Sequence, residues 1–426
     1  MRDIFVLILI AILIIASLKR PWWGVLSLAI FSYMNPHSYA WGFVRSLPAY
    51  YILFLAVCIS YFKSDEKQSI FFDWRVKFFI ALWVYFGLTT LFALVPNAAE
   101  QKFIDVSKIF FPFFFTLSLI TTREKLFYLI ATIASSIGLI ALKGGLFALA
   151  SGFSHRVYGP PATQYAGNNE FALVTIIIIP LLILFQKQTN NKNIKLLLLF
   201  AIPVCIASAI SSWSRGALLA LVGSGFYLLL HSKYKLLAIP LIICSVYFLL
   251  PYLPESWFAR MHTLETYDED ESALGRLEAW HDGWNYATAH PFLGAGFDGW
   301  IMVTQRDWHS AYVEIFSEHG FIAFGIWISL ILGSLISLTR LQIKFKSFPE
   351  LKWVGDYSIS LKAAIFAYMI GSAFLGVSYW DLLYHLIFIS ALVKKFALEE
   401  FETLQNSKIH LKTRNHIDQP KHERYF

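Results

Sequence analysis

Runs of apolar residues, each near the length of a bilayer crossing, follow one another through most of this chain. A crossing needs roughly 20 apolar residues, fewer where it is bent. Such runs fall near 4–18, 22–34, 47–62, 78–95, 103–120, 126–150, 170–186, 196–211, 216–230, 236–253, 309–338, 358–377 and 382–397. They predict about 12 or 13 crossings. The first two are short and read either as two elements or as one broken element. Backbone groups in lipid must be bonded within their own element, so runs of this length predict helices and not a barrel. The expected fold is an all-α polytopic membrane protein. Composition agrees: 15% of the 426 residues are charged, against roughly 25% in a soluble domain.

The net charge of +7 is no sign of nucleic acid, because cytoplasmic loops of membrane proteins are rich in Lys and Arg. Cys58, Cys205 and Cys244 all lie in apolar runs, which suggests neither a disulfide framework nor a metal site. The first run lacks a small-residue cleavage site and is followed by Lys19-Arg20-Pro21. It reads as a retained membrane segment. No Gly-rich phosphate loop is present, which argues against ATP or a sugar nucleotide as substrate.

Lysine placement sets the expected orientation. Lys187, Lys192 and Lys195 mark one cytoplasmic loop, His231 to Lys235 a second, and Arg340, Lys344, Lys346 and Lys352 a third. The alternating loops 35–46, 96–101, 151–169, 211–216, 254–308 and 378–381 are then external. The side of Met1 stays open, since it depends on how the first two runs are counted. The expected organisation is N-terminal crossings over 1–253, one long external loop over 254–308, and C-terminal crossings over 309–397. A polar cytoplasmic tail, partly disordered, follows over 398–426. The stretch around Glu278 to Trp284 reads as a short helix stopped before Pro291. A loop of that length in a compact protein is usually functional.

The candidates Arg156, Arg215, Arg276 and His309 all fall on the external face in this assignment. His309 opens an apolar segment just after a polar loop. It is either an interfacial histidine satisfied by a carbonyl or a general base, for which its ordinary pKa near 6.5 is suited. Tyr312, Val313 and Phe316 share its face at helical spacing. Glu314 and Glu318 point elsewhere, so neither is expected to orient the ring. Glu318 would be costly in lipid and is expected to face the protein interior.

The run 196–230 is too long for one simple crossing and is expected to turn at Ser211–Gly216. That puts Arg215 at a helix start, where charge and helix dipole together make an anion site. The alternative is an arginine reaching to the interface. Arg276 either grips a diphosphate with its planar fork or is a solvated loop residue. Arg156 is a weaker candidate. Asn168 or Asn169 is placed to cap the next helix. The acidic run Asp268-Glu269-Asp270-Glu271 fixes no ligand geometry, so no metal is assigned to it. Trp280, Trp284, Trp300 and Trp308 read either as an interfacial belt or as a surface on which sugars stack. A base beside guanidiniums at one face of a bilayer is what moving a group off a lipid-linked diphosphate requires.

The ordered pattern Gly275-Arg276, Trp280, His290-Pro291-Phe292-Leu293-Gly294-Ala295-Gly296, His309-Ser310-Ala311-Tyr312 and Glu318-His319-Gly320-Phe321 resembles the O-antigen ligase and polymerase superfamily. Ser214-Arg215-Gly216 matches the arginine such proteins carry earlier. The N-terminal half, through Met34-Asn35-Pro36-His37, Trp41-Gly42-Phe43 and Gly167-Asn168-Asn169-Glu170-Phe171, is similar to the exosortase-associated putative O-glycosylation ligases. One departure is Ser310, where many members carry asparagine.

The resemblance implies a GT-C-type bundle in the bacterial inner membrane. It implies transfer of a glycan from undecaprenyl diphosphate to an acceptor hydroxyl, such as a lipid A-core sugar, on the periplasmic face. It implies no cofactor and no required metal. His309 would activate the acceptor, Arg215 and Arg276 would bind the diphosphate with Arg156 nearby, and Trp280, Tyr312 and Asn169 would be candidate substrate contacts. A polysaccharide polymerase and a protein O-oligosaccharyltransferase need the same donor chemistry. A transporter of lipid-linked glycan would use the arginines alone and leave His309 no chemical role; the lack of a visible internal repeat counts modestly against it.

Overall fold

In a computed structural model, the described residues are 2–262 and 271–417, with the backbone alone described for 271–273 and 408–417. No strand occurs among them. The chain starts with α1 (Arg2–Lys19) and α2 (Pro21–Tyr33), two helices packed antiparallel. Pro21 separates them, since it has no N–H and suits only a first turn. The first two apolar runs are therefore two elements. Asp3 accepts a hydrogen bond from the Gly42 amide at 2.9 Å and Arg2 stacks over Trp41 at 4.2 Å. The start of α1 thus lies at the same end as the 35–46 loop.

Next come α3 (Ala49–Lys63), α4 (Trp74–Thr90), α5 (Pro96–Phe110) and α6 (Pro112–Leu119). α4 starts earlier than the apolar run suggested, because Asp73 caps it by accepting from the Arg75 amide at 3.1 Å. The run expected over 103–120 is broken at Pro112, which removes a ladder donor. Then follow α7 (Arg123–Ala150), α8 (Asn168–Gln188), α9 (Lys192–Ile210), α10 (Arg215–Leu230) and α11 (Lys235–Leu249). α7 and α9 meet closely at Gly145, where a Cβ would lie 1.9 Å from the Val204 carbonyl oxygen. α8 runs through the core, with nearly every residue from Phe171 to Leu184 buried. α11 is its opposite and has no buried residue.

The long loop holds α12 (Glu255–His262), α13 (Glu271–Ala289) and the single-turn α14 (Trp300–Val303). α13 is the helix expected around Trp280. The bundle closes with α15 (Ala311–Lys344), α16 (Lys352–Gly371) and α17 (Asp381–Ile417). Among the described residues, six segments are long and apolar enough to cross a membrane: Arg123–Ala150, Asn168–Gln188, Lys192–Ile210, Lys235–Tyr252, Ala311–Lys344 and Pro349–Phe374. The chain is a polytopic α-helical membrane protein.

The expected tail differs from what is found. α17 continues through residue 398 as helix, and Phe401 packs on Phe345 and Phe348 at 5.3 and 5.1 Å. Glu400 accepts from the Trp353 indole at 2.9 Å. Polar composition concealed an apolar stripe, Leu398, Phe401 and Leu404, at helical spacing. At this lysine-rich end Asp73 takes Arg75 on one oxygen and Lys394 on the other, both at 2.9 Å, fastening α4 to α17.

Candidate active site

The opposite end carries the candidate site, built around a break in α15. Gly320 sits at φ 73 inside the helix, a left-handed conformation that glycine adopts without strain. The break frees the carbonyls of the turn before it. Ser317 and Glu318 offer theirs to the amides of Ala295 and Gly296, both at 2.8 Å, and the Phe321 amide turns to Pro291 at 2.8 Å. The His-Pro-x-x-Gly-x-Gly segment is thus the partner that satisfies the kinked helix. Glu318 carbonyl atoms lie within 2.6 Å of where a Gly294 Cβ would be, so a side chain there would block the pairing.

Two carboxylates of the first segment of α15 are buried, and both accept hydrogen bonds. Glu318 accepts from the Asp298 amide at 3.0 Å, the Trp308 indole at 3.2 Å and the Tyr379 hydroxyl at 2.6 Å. Glu314 accepts from the amide of Ser378 at 3.1 Å and from its hydroxyl. His319 is held on both ring nitrogens, by Thr89 at 2.6 Å and Tyr379 at 2.9 Å. Burial first, then the charges of Glu318 and Glu314, push the Tyr379 phenol well above its ordinary pKa, so it stays a donor. Buried polar groups are tolerated when hydrogen-bonded in this way. The network pins two loops, 294–308 and 372–380, to the start of α15.

His309 leaves this pinned frame with φ 46 and a half-exposed side chain. Its Nδ1 is 3.8 Å from an oxygen of Asp307, beyond hydrogen-bond reach. Asp307 is a carboxylate beside the ring that the sequence reading did not single out. Glu314 and Glu318 bond elsewhere, as expected, and Glu318 faces the protein interior.

Phe374 links this frame to the arginines. The Trp280 indole donates to the Trp308 carbonyl at 2.8 Å, and its ring lies 6.5 Å from that of Phe374. Phe374 also covers Gly216, where a Cβ would come within 3.2 Å. The start of α10 with Arg215, the face of α13 with Arg276 one turn before Trp280, and the approach to His309 therefore converge. The expected turn is present at 211–213, and Ser214 caps α10 by accepting from Ala217 at 3.4 Å. Arg306 is a cation that sequence reasoning missed. It pairs with Glu278 at 3.5 Å and lies over Gly275, beside Arg276.

Arg156 is exposed and stacks on Trp213 at 5.3 Å, two residues before Arg215. Its loop is stitched to the turn: the Val157 amide donates to Ser211 at 3.2 Å, and the Ser211 hydroxyl to His155 at 2.8 Å. Neither asparagine caps α8. Gly167 occupies the cap, and Asn168 instead donates across to Ser212 at 2.8 Å. Asn169 follows it, half-buried. Tyr312 faces the bundle, with its hydroxyl on Met369 at 2.9 Å and its ring against Trp327. Trp308 belongs to no belt or platform. It is fully buried, because its indole serves Glu318. Trp284 is half-exposed against Phe316 and Phe321. Asp268, Glu269 and Asp270 lie outside the described residues, as does the side chain of Glu271.

The fold and this site define a multi-pass helical membrane protein with arginines and a histidine at one end, on the start of α10, on α13 and in the loops beside them. Residues 196–328, which hold Arg215, Arg276, His309 and the Gly320 break, match the family model for O-antigen ligase, which supports the O-antigen ligase superfamily for this part of the chain. Residues 1–190 match a family of unknown function, DUF5935. No curated protein matches the chain. The family makes this a membrane enzyme of the glycosyltransferase type, ligase or polymerase, of the bacterial inner membrane.

Proposed function

We propose that this protein is an O-antigen ligase-type transferase. It moves a glycan from undecaprenyl diphosphate to an acceptor hydroxyl, a lipid A-core sugar or a similar group, on the periplasmic face. The reading takes about 12 crossings in a GT-C-type arrangement, with the 254–308 loop as the catalytic loop. The observation that carries it is the convergence around Phe374 of the start of α10, the Arg276 face of α13 and the entry to His309.

The acceptor oxygen attacks the anomeric carbon opposite the diphosphate, so the centre inverts. With Nδ1 turned toward Asp307, Nε2 of His309 takes the hydroxyl proton as the bond forms. The departing diphosphate gathers charge, which Arg215 and Arg276 meet with fixed cations, Arg156 lying nearby. Trp280, Asn169 and Tyr312 are the proposed contacts to the glycan. The arginines meet the charge without a metal, so none is required.

The test is transfer itself. Purified protein is incubated with an undecaprenyl-diphosphate oligosaccharide and separate acceptors: lipid A-core, a Ser/Thr peptide and a second lipid-linked glycan. Glycan appearing on lipid A-core, with and without EDTA, is the expected result. Elongation of the lipid-linked glycan alone would make it a polymerase, and loss of transfer with EDTA would put a metal in the site.

A further inference from the structure

A cavity of about 370 Å3 opens in the site-bearing end of the bundle, between α2, α3, α5, α6, the 151–167 loop and α17. Neither the arginines nor His309 line it. Most of its wall comes from residues 1–190, the half whose family has no assigned function. The size is that of a small-molecule site.

Its floor is Asp381, buried at the start of α17, with one carboxylate oxygen held by the Ser32 hydroxyl and the other by the Tyr165 hydroxyl. Tyr165 is braced edge-on by Trp380 at 4.9 Å. The rings of Tyr50 and Phe113 form part of the wall. At the rim, Lys108 is neutralised by Asp105 at 2.8 Å. His37 stacks on Phe31 at 5.9 Å, and its Nδ1 is shielded with no hydrogen-bond partner in the protein. Burial lowers the pKa of this ring, so at neutral pH it offers one donor and one acceptor.

These features select by charge and by shape. A carboxylate fixed in the floor, with Lys108 already paired, repels phosphates and carboxylates. A bare hydrocarbon would leave the polar groups unmatched. Ring faces interleaved with hydroxyls, a carboxylate and a neutral imidazole match a group with apolar faces and a polar edge. We infer that this cavity binds an uncharged sugar ring. The role of that sugar in transfer rests on the function proposed above, and one loop connects the two places. Ser378 holds Glu314, Tyr379 holds Glu318, Trp380 braces Tyr165, and Asp381 floors the cavity. The ring belongs either to the donor glycan or to the acceptor.

Saturation-transfer NMR on the full-length protein in nanodiscs tests the binding, with N-acetylglucosamine, galactose and mannose as neutral probes and N-acetylglucosamine 1-phosphate as the charged one. At least one neutral sugar is expected to bind, with the phosphate weaker by about fivefold or more. Tyr50→Ala and His37→Ala should each weaken that binding by a similar factor. Tyr50→Phe keeps the ring and its packing, so a loss there reads the hydroxyl and not the fold. Absence of neutral-sugar binding, equal binding in wild type and all variants, or preference for the phosphate overturns the inference. Transfer kinetics then identify the source. A raised KM for acceptor alone assigns the ring to the acceptor, and a raised KM for donor alone assigns it to the donor. If both are unchanged, the cavity has no part in transfer. Should the protein transfer nothing, the NMR arm still decides the sugar site by itself.

Discussion

His309 holds a backbone conformation, φ 46, that costs a non-glycine residue about 1–3 kcal/mol and persists only where its surroundings enforce it. Here the buried Trp308 on one side and the start of α15 on the other enforce it. On the base assignment, His309→Ala leaves donor binding intact and lowers single-turnover transfer by roughly 100- to 10,000-fold. Near wild-type transfer by a folded variant would return the residue to a hydrogen-bonding role. Arg215→Lys and Arg276→Lys should each impair donor binding in a lipid-linked glycan titration, because a point charge lacks the planar fork. Wild-type affinity in both would separate them from the diphosphate. These positions were legible because titratable groups beside apolar runs are costly, and so conspicuous. Asp307, Arg306 and Phe374 were not, since only the folded loops bring them to the site. Trp308 was misjudged for a local reason: a tryptophan beside a polar loop has the same sequence signature at an interface and in a core.

At the scale of elements, the broken helix α15 and the Gly294–Gly296 turn are one unit, each supplying the other's missing hydrogen bonds. Gly320→Ala would force a left-handed alanine and set its Cβ 2.4 Å from the Phe292 carbonyl oxygen. A loss of about 2 kcal/mol or more is expected, read as a lower unfolding temperature in detergent. Glu318→Ala strands three donors at about 1–3 kcal/mol each, and Glu318→Gln, which keeps an acceptor, should be the milder change. Equal stability of both variants to wild type would show that the network does not hold the loops. The helices themselves were readable from apolar run length. Their breaks at Pro21 and Pro112 follow from a chemistry visible in the sequence. The break at Gly320 does not, because a glycine inside a long apolar run looks the same whether the helix bends there or continues.

For the whole molecule, the proposed orientation rests on lysine placement, and Asp3 and Arg2 put the start of α1 at the same end as the 35–46 loop. In a background without Cys58, Cys205 and Cys244, Met302→Cys should react with a membrane-impermeant thiol reagent added from the periplasm. Ser407→Cys should react only after the inner membrane is opened. The reverse pattern would invert the protein and its site. What run length and charge could not convey was how enclosed each helix is. α8 and α11 have much the same composition, yet α8 is surrounded by protein and α11 touches little but its surroundings. α8 must fit neighbours of fixed shape, and even one methylene added or removed is felt there. α11 has no buried residue, so its own chain imposes polarity on it but no shape. Over generations its letters are therefore free to drift among Leu, Ile, Val and Phe while those of α8 are held. Two stretches equally greasy today would keep very different records of descent.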